Sequence, residues 1–318
     1  MVNVTDVLVT GSEGFIGSAL VNALLRADHR VRGLDVLEPK STDIDYEYFQ
    51  GSIRNFSDIK KALNSVEIVF HLAAISNLNV ARTKPLETIE TNVMATANLL
   101  EVCRQKGVKM IFASSDHVYG TQPGRTLTET TTTAPREIYA ASKVAAEEIV
   151  RNFSIPNTIL RFGTVYGPRM RTELAIHIFL SSALKGEPIT IHFPGTQKRQ
   201  YIFIDDLIEG IMLAMNPQAD GQTINLPGNE LITVVDLANS CIKLAGSNSK
   251  LIFLPPRPSD LDSEFVSFEK AKNLLGWIPK VNLNEGLLRT LHSIRTMKTE
   301  LGLQEQNELA TTSPLVYH

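Results

Sequence analysis

The stretch VLVTGSEGFIGSAL, residues 7–20, decides how the first part of this chain folds. Its first residues form a continuous apolar run, which predicts a short strand buried on both faces, and its last residues have the apolar spacing of a helix. Gly11, Gly14 and Gly17 lie between the two, where glycine permits a tight turn and lets backbone N–H groups approach a ligand. Because a helix N-terminus favours anions, this order predicts a site for a dinucleotide pyrophosphate, although the spacing G-x-x-G-x-x-G also occurs in ordinary βα turns.

The acidic residue that ends the next strand-like segment supports this interpretation. Asp35 follows the run Val31–Leu34, at a position where a carboxylate can accept hydrogen bonds from an adenosine ribose. A carboxylate there repels a 2′-phosphate, so the sequence predicts NAD rather than NADP as the cofactor. The alternative is that Asp35 only caps the end of a strand.

Strand-like and helix-like segments alternate along the first half of the chain, and the strand-like segments are short and β-branched. Alternation of this kind predicts right-handed crossovers and a parallel sheet covered by helices on both faces. The predicted fold class is therefore α/β, with a Rossmann-type doubly wound parallel sheet. The predicted strands are Val7–Thr10, Val31–Asp35, Val66–Leu72, Lys109–Ala113 and Thr158–Phe162.

The alternation breaks after Phe162, where prolines and glycines become frequent and the helix-like segments shorten. We expect an NAD-binding Rossmann domain over residues 1–163, to which later segments near residues 201–226 are candidates to return. A smaller C-terminal α/β substrate-binding domain is expected over residues 164–299. Residues 300–318 are polar and aperiodic, which is typical of a flexible tail.

Composition and charge argue against several classes of protein. The 318 residues are 43% hydrophobic and 20% charged, as in an ordinary globular protein, and the formal net charge of -3 argues against a nucleic-acid or membrane-surface partner. No apolar run is long enough to span a membrane. Cys103 and Cys241 can form no disulfide framework and lack metal-site spacing, so we expect buried thiols, no metal and a cytoplasmic location.

Three polar residues downstream of the glycine turn indicate proton and hydride chemistry. Tyr139 and Lys143 stand four positions apart in EIYAASKVAAEEIV, so they project from one face of a helix. A tyrosine has a pKa of about 10 and is a poor base at neutral pH, but a nearby ammonium and an oxidised nicotinamide favour its phenolate. Ser115 follows the predicted strand Lys109–Ala113, at the sheet edge where ligands bind, and its hydroxyl can orient a substrate alcohol. The pattern Tyr-x-x-x-Lys by itself also occurs on ordinary surface helices.

The chain resembles the extended short-chain dehydrogenase/reductase family, specifically its NAD-dependent sugar-nucleotide epimerases and dehydratases such as the UDP-glucose 4-epimerases. The resemblance covers about residues 5–296 and implies NAD as the cofactor and a nucleotide sugar as the substrate. The residues that carry it are TGSEGFIGS, Asp35, HLAA at residues 71–74, TNVMATANLLE around Asn92, SSDHVYG, YAASK, LRFGTVYGPR, RQYIFIDDL, RPSD at residues 257–260 and LGWIP at residues 275–279.

The resemblance also implies roles for individual residues. The implied catalytic residues are Ser115, Tyr139, Lys143 and Asp116. Substrate binding is implied for Ser115, Thr164, Arg199 and Arg257. Cofactor binding is implied for Gly11, Gly14, Phe15, Ile16, Gly17, Asp35, Ser52, Ile53, Leu72, Ala73, Ala74, Asn92, Tyr139 and Lys143. Helices 85–106 and 139–153 resemble those that form a four-helix bundle in homodimers of this family.

The mechanism implied by the family begins with Tyr139, which removes the proton from the sugar O4 while Ser115 holds that oxygen, and a transient 4-keto sugar results. The sequence then favours a 4-epimerase for nucleoside-diphosphate sugars of the UDP-glucose/galactose type. The alternatives are a 4,6-dehydratase that uses Asp116 as an acid, an NAD-dependent sugar dehydrogenase, and a non-catalytic NAD-binding module. The presence of Tyr139 and Lys143 disfavours the last of these.

Several positions depart from the pattern of the epimerases. Asp116 stands after a serine as it does in the dehydratases, and His117 stands where those enzymes place a base or a lysine. The alternative is that Asp116 caps the loop and His117 packs. Thr164 replaces the asparagine that typically holds the diphosphate, Gln200 replaces an aspartate, and Ser52 replaces an acidic residue near the adenine. The change at Thr164 indicates a smaller or differently held substrate.

Overall fold

The computed structural model of the chain describes residues 4–39, 45–256 and 263–296. Arg257, the RPSD segment at 257–260 and the predicted tail at 300–318 lie outside these described residues. None of the helices in the described ranges has the length and apolar character needed to cross a lipid bilayer.

Helices follow most of the strands along the chain. A 3-10 helix covers Asp116–Tyr119 and another covers Pro217–Ala219, while Glu90–Met94 forms a π-helical turn. The α-helices are α1 (Phe15–Arg26), α2 (Phe56–Ala62), α3 (Leu78–Thr83), α4 (Pro85–Ile89), α5 (Ala95–Lys106), α6 (Ile138–Asn152), α7 (Ala175–Lys185), α8 (Ile204–Leu213), α9 (Val234–Ala245), α10 (Glu269–Leu275) and α11 (283–296).

The strands form one large sheet and two small ones. They are β1 (Asp6–Thr10), β2 (Arg30–Asp35), β3 (Glu47–Gln50), β4 (Ile68–His71), β5 (Lys109–Ser115), β6 (Asn157–Phe162), β7 (Thr164–Tyr166), β8 (Ile189–His192), β9 (Lys198–Phe203), β10 (Gln222–Leu226), β11 (Leu231–Thr233) and β12 (Leu251–Leu254). The small sheets have the strand orders β11-β9-β7 and β12-β8.

The large sheet has the strand order β10-β6-β5-β4-β1-β2-β3, and its strands all run parallel. This confirms the predicted Rossmann-type α/β fold. The chain builds outward from β1 to β3, then returns to the other side of β1 to place β4. At such a reversal the loops after the two central strands diverge, and the crevice that they leave at the carboxyl edge of the sheet is where ligands bind.

Apolar side chains of the sheet and of the helices on one face form a continuous core. Leu8, Val69 and Phe112 lie on neighbouring strands, are almost fully buried, and pack in one cluster with Cys103 of α5. Each large apolar side chain buried in this way contributes roughly 1.5–3 kcal/mol. Cys103 and Cys241 are both buried free thiols, as expected.

The segment 85–106 is helical, as its apolar spacing predicts, but one of its turns is wider than an α-helical turn. Helix α4 passes into the π-turn Glu90–Met94 and then into α5, which ends at Gly107 with a φ of 69°. Asn92 lies in the π-turn and is 1% exposed. Turns of this type are rare and frequently occur at functional sites.

The described residues divide into two compact units. The first unit lies within Met1–Val165, Gln197–Ile232 and Ser259–Lys280, and it contains the seven-stranded sheet. Strand β10 re-enters this unit at the edge of the sheet, beside β6. The second unit lies within Tyr166–Thr196, Thr233–Pro258 and Val281–His318, and in it α7 packs against α9 while β8 pairs with β12 in parallel.

Candidate active site

Four chain segments reach the carboxyl edge of the large sheet together. Gly11 follows β1, Asp35 ends β2, Leu72 follows β4 and Ser115 ends β5. Strands β2, β1, β4 and β5 are consecutive neighbours in the sheet. The fold therefore brings Ser115, predicted for the substrate, to the same edge as three residues predicted for the cofactor.

The glycine turn after β1 is too tightly packed for side chains at Gly11 and Gly17. A Cβ atom on Gly17 would lie 1.9 Å from the Gly11 carbonyl oxygen, and one on Gly11, whose φ is +72°, would lie 2.9 Å from the Ala73 nitrogen. A Cβ atom on Gly14 would meet only the Gly11 oxygen, at 3.1 Å. Gly14 is the N-cap of α1, and within the described residues no side chain caps that end. The helix end is thus left open to an outside acceptor such as a pyrophosphate.

Asp35 faces the same turn. Its Oδ2 accepts a hydrogen bond from the Glu13 nitrogen at 2.9 Å, and its Oδ1 accepts one from the Leu37 nitrogen at 3.1 Å. A carboxylate has about four acceptor sites, so Asp35 retains capacity for ribose hydroxyl groups. The buried Glu13 side chain adds a second carboxyl group, which accepts a hydrogen bond from Tyr46 Oη at 2.8 Å. Burial, together with Glu13, raises the pKa of Tyr46 and keeps its hydroxyl protonated.

The turn and its acidic neighbours therefore fit a dinucleotide without a 2′-phosphate. Phe15 and Ile16 begin α1 and are half-buried, as are Ala73 and Ala74. Ser52 lies in a turn where its nitrogen donates to Asp58 Oδ2 at 3.1 Å and its Oγ accepts from the Arg54 nitrogen at 3.2 Å. Ile53 belongs to the apolar core and is 5% exposed.

His71, at the end of β4, ties three elements together beneath this edge. Its Nδ1 lies 2.8 Å from Thr10 Oγ1, and its Nε2 lies 2.9 Å from Thr96 Oγ1. Full burial, and to a smaller extent the charge of Lys143, lowers the pKa of His71 to about 3. The ring is therefore neutral at physiological pH and fixes β1, β4 and α5 relative to one another.

Tyr139 and Lys143 lie on the first turns of α6 and are 8% and 3% exposed. Lys143 Nζ donates a hydrogen bond to the Ala113 carbonyl oxygen at 2.7 Å and lies 6.0 Å from the centroid of the Tyr139 ring. Burial lowers the pKa of Lys143 to about 8, against the opposing charge of Glu147. The ammonium form predominates at neutral pH, where it favours the ionised form of a nearby phenol.

Asn92 supports the Tyr139 helix from the π-turn. Its amide accepts a hydrogen bond from the Ile75 nitrogen at 2.8 Å and donates to the Ile75 oxygen and to Ser142 Oγ, each at 3.0 Å. Ser142 Oγ in turn donates to the Tyr139 carbonyl oxygen at 2.7 Å. The described hydrogen bonds of the Asn92 side chain thus go to other protein groups. They connect the segment at Ile75 to helix α6.

Ser115, Asp116 and His117 form a turn directly after β5. Ser115 Oγ donates to Asp116 Oδ1 at 3.3 Å and accepts from the His117 nitrogen at 3.3 Å, so Ser115 caps the short 3-10 helix. Burial raises the pKa of Asp116. The charge of His117, the Ser115 hydrogen bond and the charge of Arg199 act in the opposite direction and do not cancel this rise. The His117 and Tyr139 rings lie 6.0 Å apart with an angle of 74° between their planes. Ser115, Asp116 and Tyr139 therefore belong to one cluster, joined through His117.

A buried ion pair that the sequence reasoning missed holds α6 against the sheet. Arg161 Nε and Nη2 donate to the two carboxylate oxygens of Glu147 at 2.9 and 2.7 Å. Ser114 Oγ donates to the same carboxylate at 2.5 Å, and Arg161 Nη1 donates to Tyr119 Oη at 2.9 Å. Glu147 lies one helical turn after Lys143 on the same face, and that spacing was the signal available in the sequence. Tyr119 is fully buried in this network.

Two of the residues predicted to hold the substrate diphosphate lie on neighbouring strands of a small sheet. Thr164 begins β7, and Arg199 lies on β9 beside it, half-buried, with its Nη1 donating to the Lys198 carbonyl oxygen at 2.7 Å. Gln200, next to Arg199, is 2% exposed and binds the Gly228 oxygen at 2.7 Å and the Val266 nitrogen at 2.8 Å. Gln200 therefore joins the loop at Gly228 to the segment at Val266, and both atoms of its side-chain amide bind the backbone. Arg257 lies outside the described residues.

The fold and the arrangement at the sheet edge define an enzyme of the extended short-chain dehydrogenase/reductase type, as the sequence resemblance implies. The chain belongs to the NAD dependent epimerase/dehydratase family, whose model matches residues 7–226. Among the described residues there is no group of three or more acidic, histidine or cysteine side chains that could hold a metal ion.

Proteins of this family with different activities are similar to the chain to nearly the same degree. The UDP-glucose 4-epimerase of Thermotoga maritima, solved with UDP-glucose, is 30% identical, with a TM-score of 0.87 over 92% of this chain and 99% of that chain. The UDP-glucuronic acid 4-epimerase of Bacillus cereus, solved with UDP-glucuronic acid and NAD, is 31% identical, with a TM-score of 0.85 over the same shares. UDP-glucuronic acid decarboxylase 6 of Arabidopsis thaliana is 30% identical over 88% of this chain and 86% of its own length.

Proposed function

We propose that this enzyme is a 4-epimerase of UDP-sugars of the glucose/galactose type that works through a transient 4-keto sugar. The observation that carries the proposal is the position of Lys143, whose Nζ lies 6.0 Å from the centroid of the Tyr139 ring. Both residues lie on α6, beside the strand that ends in Ser115. Similar proteins named as 4-epimerases of UDP-glucose and of UDP-glucuronic acid support the same reaction type.

Each catalytic side chain has one task in this proposal. Tyr139, as a phenolate, accepts the proton of the sugar 4-hydroxyl group, and Ser115 Oγ holds that oxygen by a hydrogen bond. Lys143 stabilises the phenolate by its charge, because an opposite charge nearby favours the ionised form. When the keto sugar has turned over, Tyr139 returns the proton to the 4-oxygen of the epimer.

NAD fits the residues at the carboxyl edge. When bound, it supplies an acceptor and then a donor of hydride at the sugar C4. The open N-terminus of α1 at Gly14 suits the pyrophosphate, and Asp35 suits the adenosine ribose. The carboxyl groups of Asp35 and Glu13 disfavour a 2′-phosphate at the same place.

The division into domains stays a prediction. We assign NAD to residues 1–163, with segments near residues 201–226, and the sugar nucleotide to residues 164–299. Arg199 is the described residue that we assign to the diphosphate, because a guanidinium group pairs well with phosphate oxygens. Thr164 on the neighbouring strand offers a hydroxyl group in place of a larger amide. A cytoplasmic location also stays a prediction, with two unpaired thiols as its support.

A second candidate function is a 4,6-dehydratase, and the state of Asp116 favours it. Burial raises the pKa of this carboxyl group, so it holds a proton more readily than an exposed aspartate. A protonated Asp116 beside Ser115 can donate its proton to a departing C6 hydroxyl group. A stable 4-keto-6-deoxy product would then be released.

We also propose that the enzyme is a homodimer that pairs through helices 85–106 and 139–153. Leu86, Ile89 and Met94 on the first segment are 74%, 42% and 58% exposed, and Ile138 at the start of α6 is 38% exposed. A second copy of the chain would cover this apolar surface. Sedimentation equilibrium of the native protein and of the double variant Leu86→Glu/Met94→Glu tests the pairing. We expect the native protein at twice the monomer mass and the variant at the monomer mass.

The proposed reaction is tested by incubating the protein with UDP-, GDP-, CDP- and dTDP-sugars, including UDP-glucuronate, and following each mixture by proton NMR. We expect interconversion of the C4 epimers of a UDP-sugar without a lasting rise in absorbance at 340 nm. A lasting rise would instead indicate a dehydrogenase that releases reduced cofactor.

The variant Asp116→Asn separates the two candidate reactions. A dehydratase would lose its activity in this variant, and the native enzyme would form a product whose enolate absorbs in strong base. We expect the variant still to interconvert the C4 epimers, because epimerisation requires no acid at C6.

A further inference from the structure

Glu137 stands directly before the helix that carries Tyr139 and Lys143, and its carboxylate serves two elements. As the N-cap of α6, it accepts hydrogen bonds from the Tyr139 nitrogen at 2.9 Å and from the Ala140 nitrogen at 3.1 Å. The same Oε1 that binds Ala140 lies 3.4 Å from His117 Nδ1. Serine, threonine, aspartate and asparagine are the preferred capping residues, so capping alone does not account for a glutamate here.

His117 is held from both its backbone and its ring. Its nitrogen donates to Ser115 Oγ at 3.3 Å, and the ring lies against the Tyr139 ring with the centroids 6.0 Å apart. Among the described residues, Glu137 is the only hydrogen-bond partner of the ring, through Nδ1. The His117 side chain remains 41% exposed.

The charges around His117 favour its protonated form. The charged and titratable groups that face it are Asp116 on its own turn, Glu137 and Tyr139 on α6, and Arg199 on β9. Burial disfavours the imidazolium, but the Glu137 hydrogen bond and the charges of Asp116 and Glu137 outweigh this, so the pKa of His117 is raised although Arg199 opposes the change. The charge of Glu137 is itself offset by the N–H groups and the positive end of α6.

We propose that Glu137 is a positioning residue that pairs with the His117 ring and keeps it against Tyr139, so that the imidazolium form of His117 helps Tyr139 to ionise. The proposal rests on the 4-epimerase function, in which Tyr139 must act as a base. It adds a third positive charge to the two expected near the phenol, those of Lys143 and the oxidised nicotinamide. His117 then contributes through its charge, and Glu137 acts through His117.

One substitution separates this role from simple capping. Glu137→Ser retains a side chain that caps α6 well but removes the carboxylate beside His117. We expect the variant to fold with a melting temperature close to that of the native protein. We expect the His117 pKa, measured by NMR of histidine-labelled holoenzyme, to fall, because the carboxylate that favours the imidazolium is gone. We expect kcat at neutral pH to fall by about tenfold with little change in KM, because a phenol without a positive charge nearby ionises less readily. Glu148→Gln is the matched control, because Glu148 is an exposed carboxylate on the same helix and should change neither quantity.

A double-variant cycle gives the decisive comparison. If Glu137 acts through His117, adding Glu137→Ser to His117→Gln should lower kcat no further. An unchanged His117 pKa in Glu137→Ser would overturn the proposal. So would a loss of kcat on Glu137→Ser that is equally large in the native protein and in His117→Gln. The His117 pKa is measured without substrate, so a fall in that pKa in a protein that turns over no sugar nucleotide would support the Glu137–His117 pairing and refute the 4-epimerase function.

Discussion

Lys143 Nζ lies 6.0 Å from the centroid of the Tyr139 ring while it donates a hydrogen bond to the Ala113 carbonyl oxygen of β5. This hydrogen bond fixes the ammonium group on the strand that ends in Ser115. The three polar groups of the proposed reaction therefore lie on two directly contacting elements, β5 and α6. Their relative positions depend on the packing of α6 on the sheet, and that packing is open to test.

The first prediction concerns the stability of the protein at alkaline pH. Burial lowers the pKa of Lys143 to about 8 from an ordinary value of 10.5. Between these two values the unfolded chain binds more protons at this residue than the folded chain, so Lys143 makes the free energy of unfolding rise with pH, by at most about 1.4 kcal/mol per pH unit. Denaturant titrations of the cofactor-free protein at several pH values measure this rise.

Lys143→Met is the comparison that isolates this effect, because tyrosines and cysteines also titrate in the same range. We expect the difference in unfolding free energy between native protein and variant to change with pH only between about 8 and 10.5. A difference that stays constant across that window would show that Lys143 has an ordinary pKa in the folded protein.

The second prediction concerns the buried pair Glu147–Arg161. Arg161 makes two hydrogen bonds to Glu147, and both side chains are almost fully buried. Removing one partner leaves a buried charge without compensation, so Glu147→Gln should destabilise the protein by about 3–5 kcal/mol. The double variant Glu147→Met/Arg161→Met should be much less destabilised than the sum of its single variants, as measured by urea denaturation. Simple additivity of the single changes would contradict the assignment.

The third prediction concerns the choice of dinucleotide. Asp35→Asn removes the charge that we assign to the ribose site, so the affinity for NAD should fall roughly tenfold to a hundredfold. The affinity for NADP should rise relative to that for NAD, and more so when Glu13→Gln is added. Calorimetric titration of the cofactor-free protein with each dinucleotide measures both. Glu67→Gln, an exposed carboxylate at the other end of the sheet, should leave the ratio unchanged, and an unchanged ratio in Asp35→Asn would refute the assignment.

The fourth prediction concerns the glycine turn. A Cβ atom on Gly17 would lie 1.9 Å from the Gly11 backbone oxygen, so Gly17→Ala forces the turn to move. A Cβ atom on Gly107 meets nothing within 4 Å, and alanine there carries only the cost of a left-handed φ, about 1–2 kcal/mol. We expect Gly17→Ala to be the more destabilising change and to weaken NAD binding, while Gly107→Ala leaves NAD binding intact. Equal NAD affinity in the two variants would contradict the predicted site.

Local patterns in the sequence were sufficient to predict the parallel sheet. The segments that end at Thr10, Asp35 and Phe162 correspond to β1, β2 and β6, because strands inside a parallel sheet are short and rich in apolar residues. Tyr139 and Lys143 could be paired for a similar reason, since four residues on a helix fix a common face.

Contacts between distant parts of the chain could not be read from those patterns. Arg161 meets Tyr119, and Asn92 meets Ser142, across separations that no periodicity encodes. The π-turn at Asn92 was also missed, because apolar spacing shows that a segment is helical but not that one turn is wider. Glu137 was overlooked as a cap because glutamate is not a preferred capping residue.

The most direct test of the central claim, that Tyr139 is the base in a C4 epimerisation, is the rate at which Tyr139→Phe interconverts the C4 epimers of the UDP-sugar that the native enzyme accepts. Proton NMR of the sugar H4 measures this rate, and Tyr166→Phe, which removes a buried phenol hydroxyl elsewhere, is the matched control. We predict that Tyr139→Phe still binds NAD but loses activity by about 10²–10⁴-fold, while Tyr166→Phe remains active. Epimerisation by Tyr139→Phe at the native rate would contradict the account.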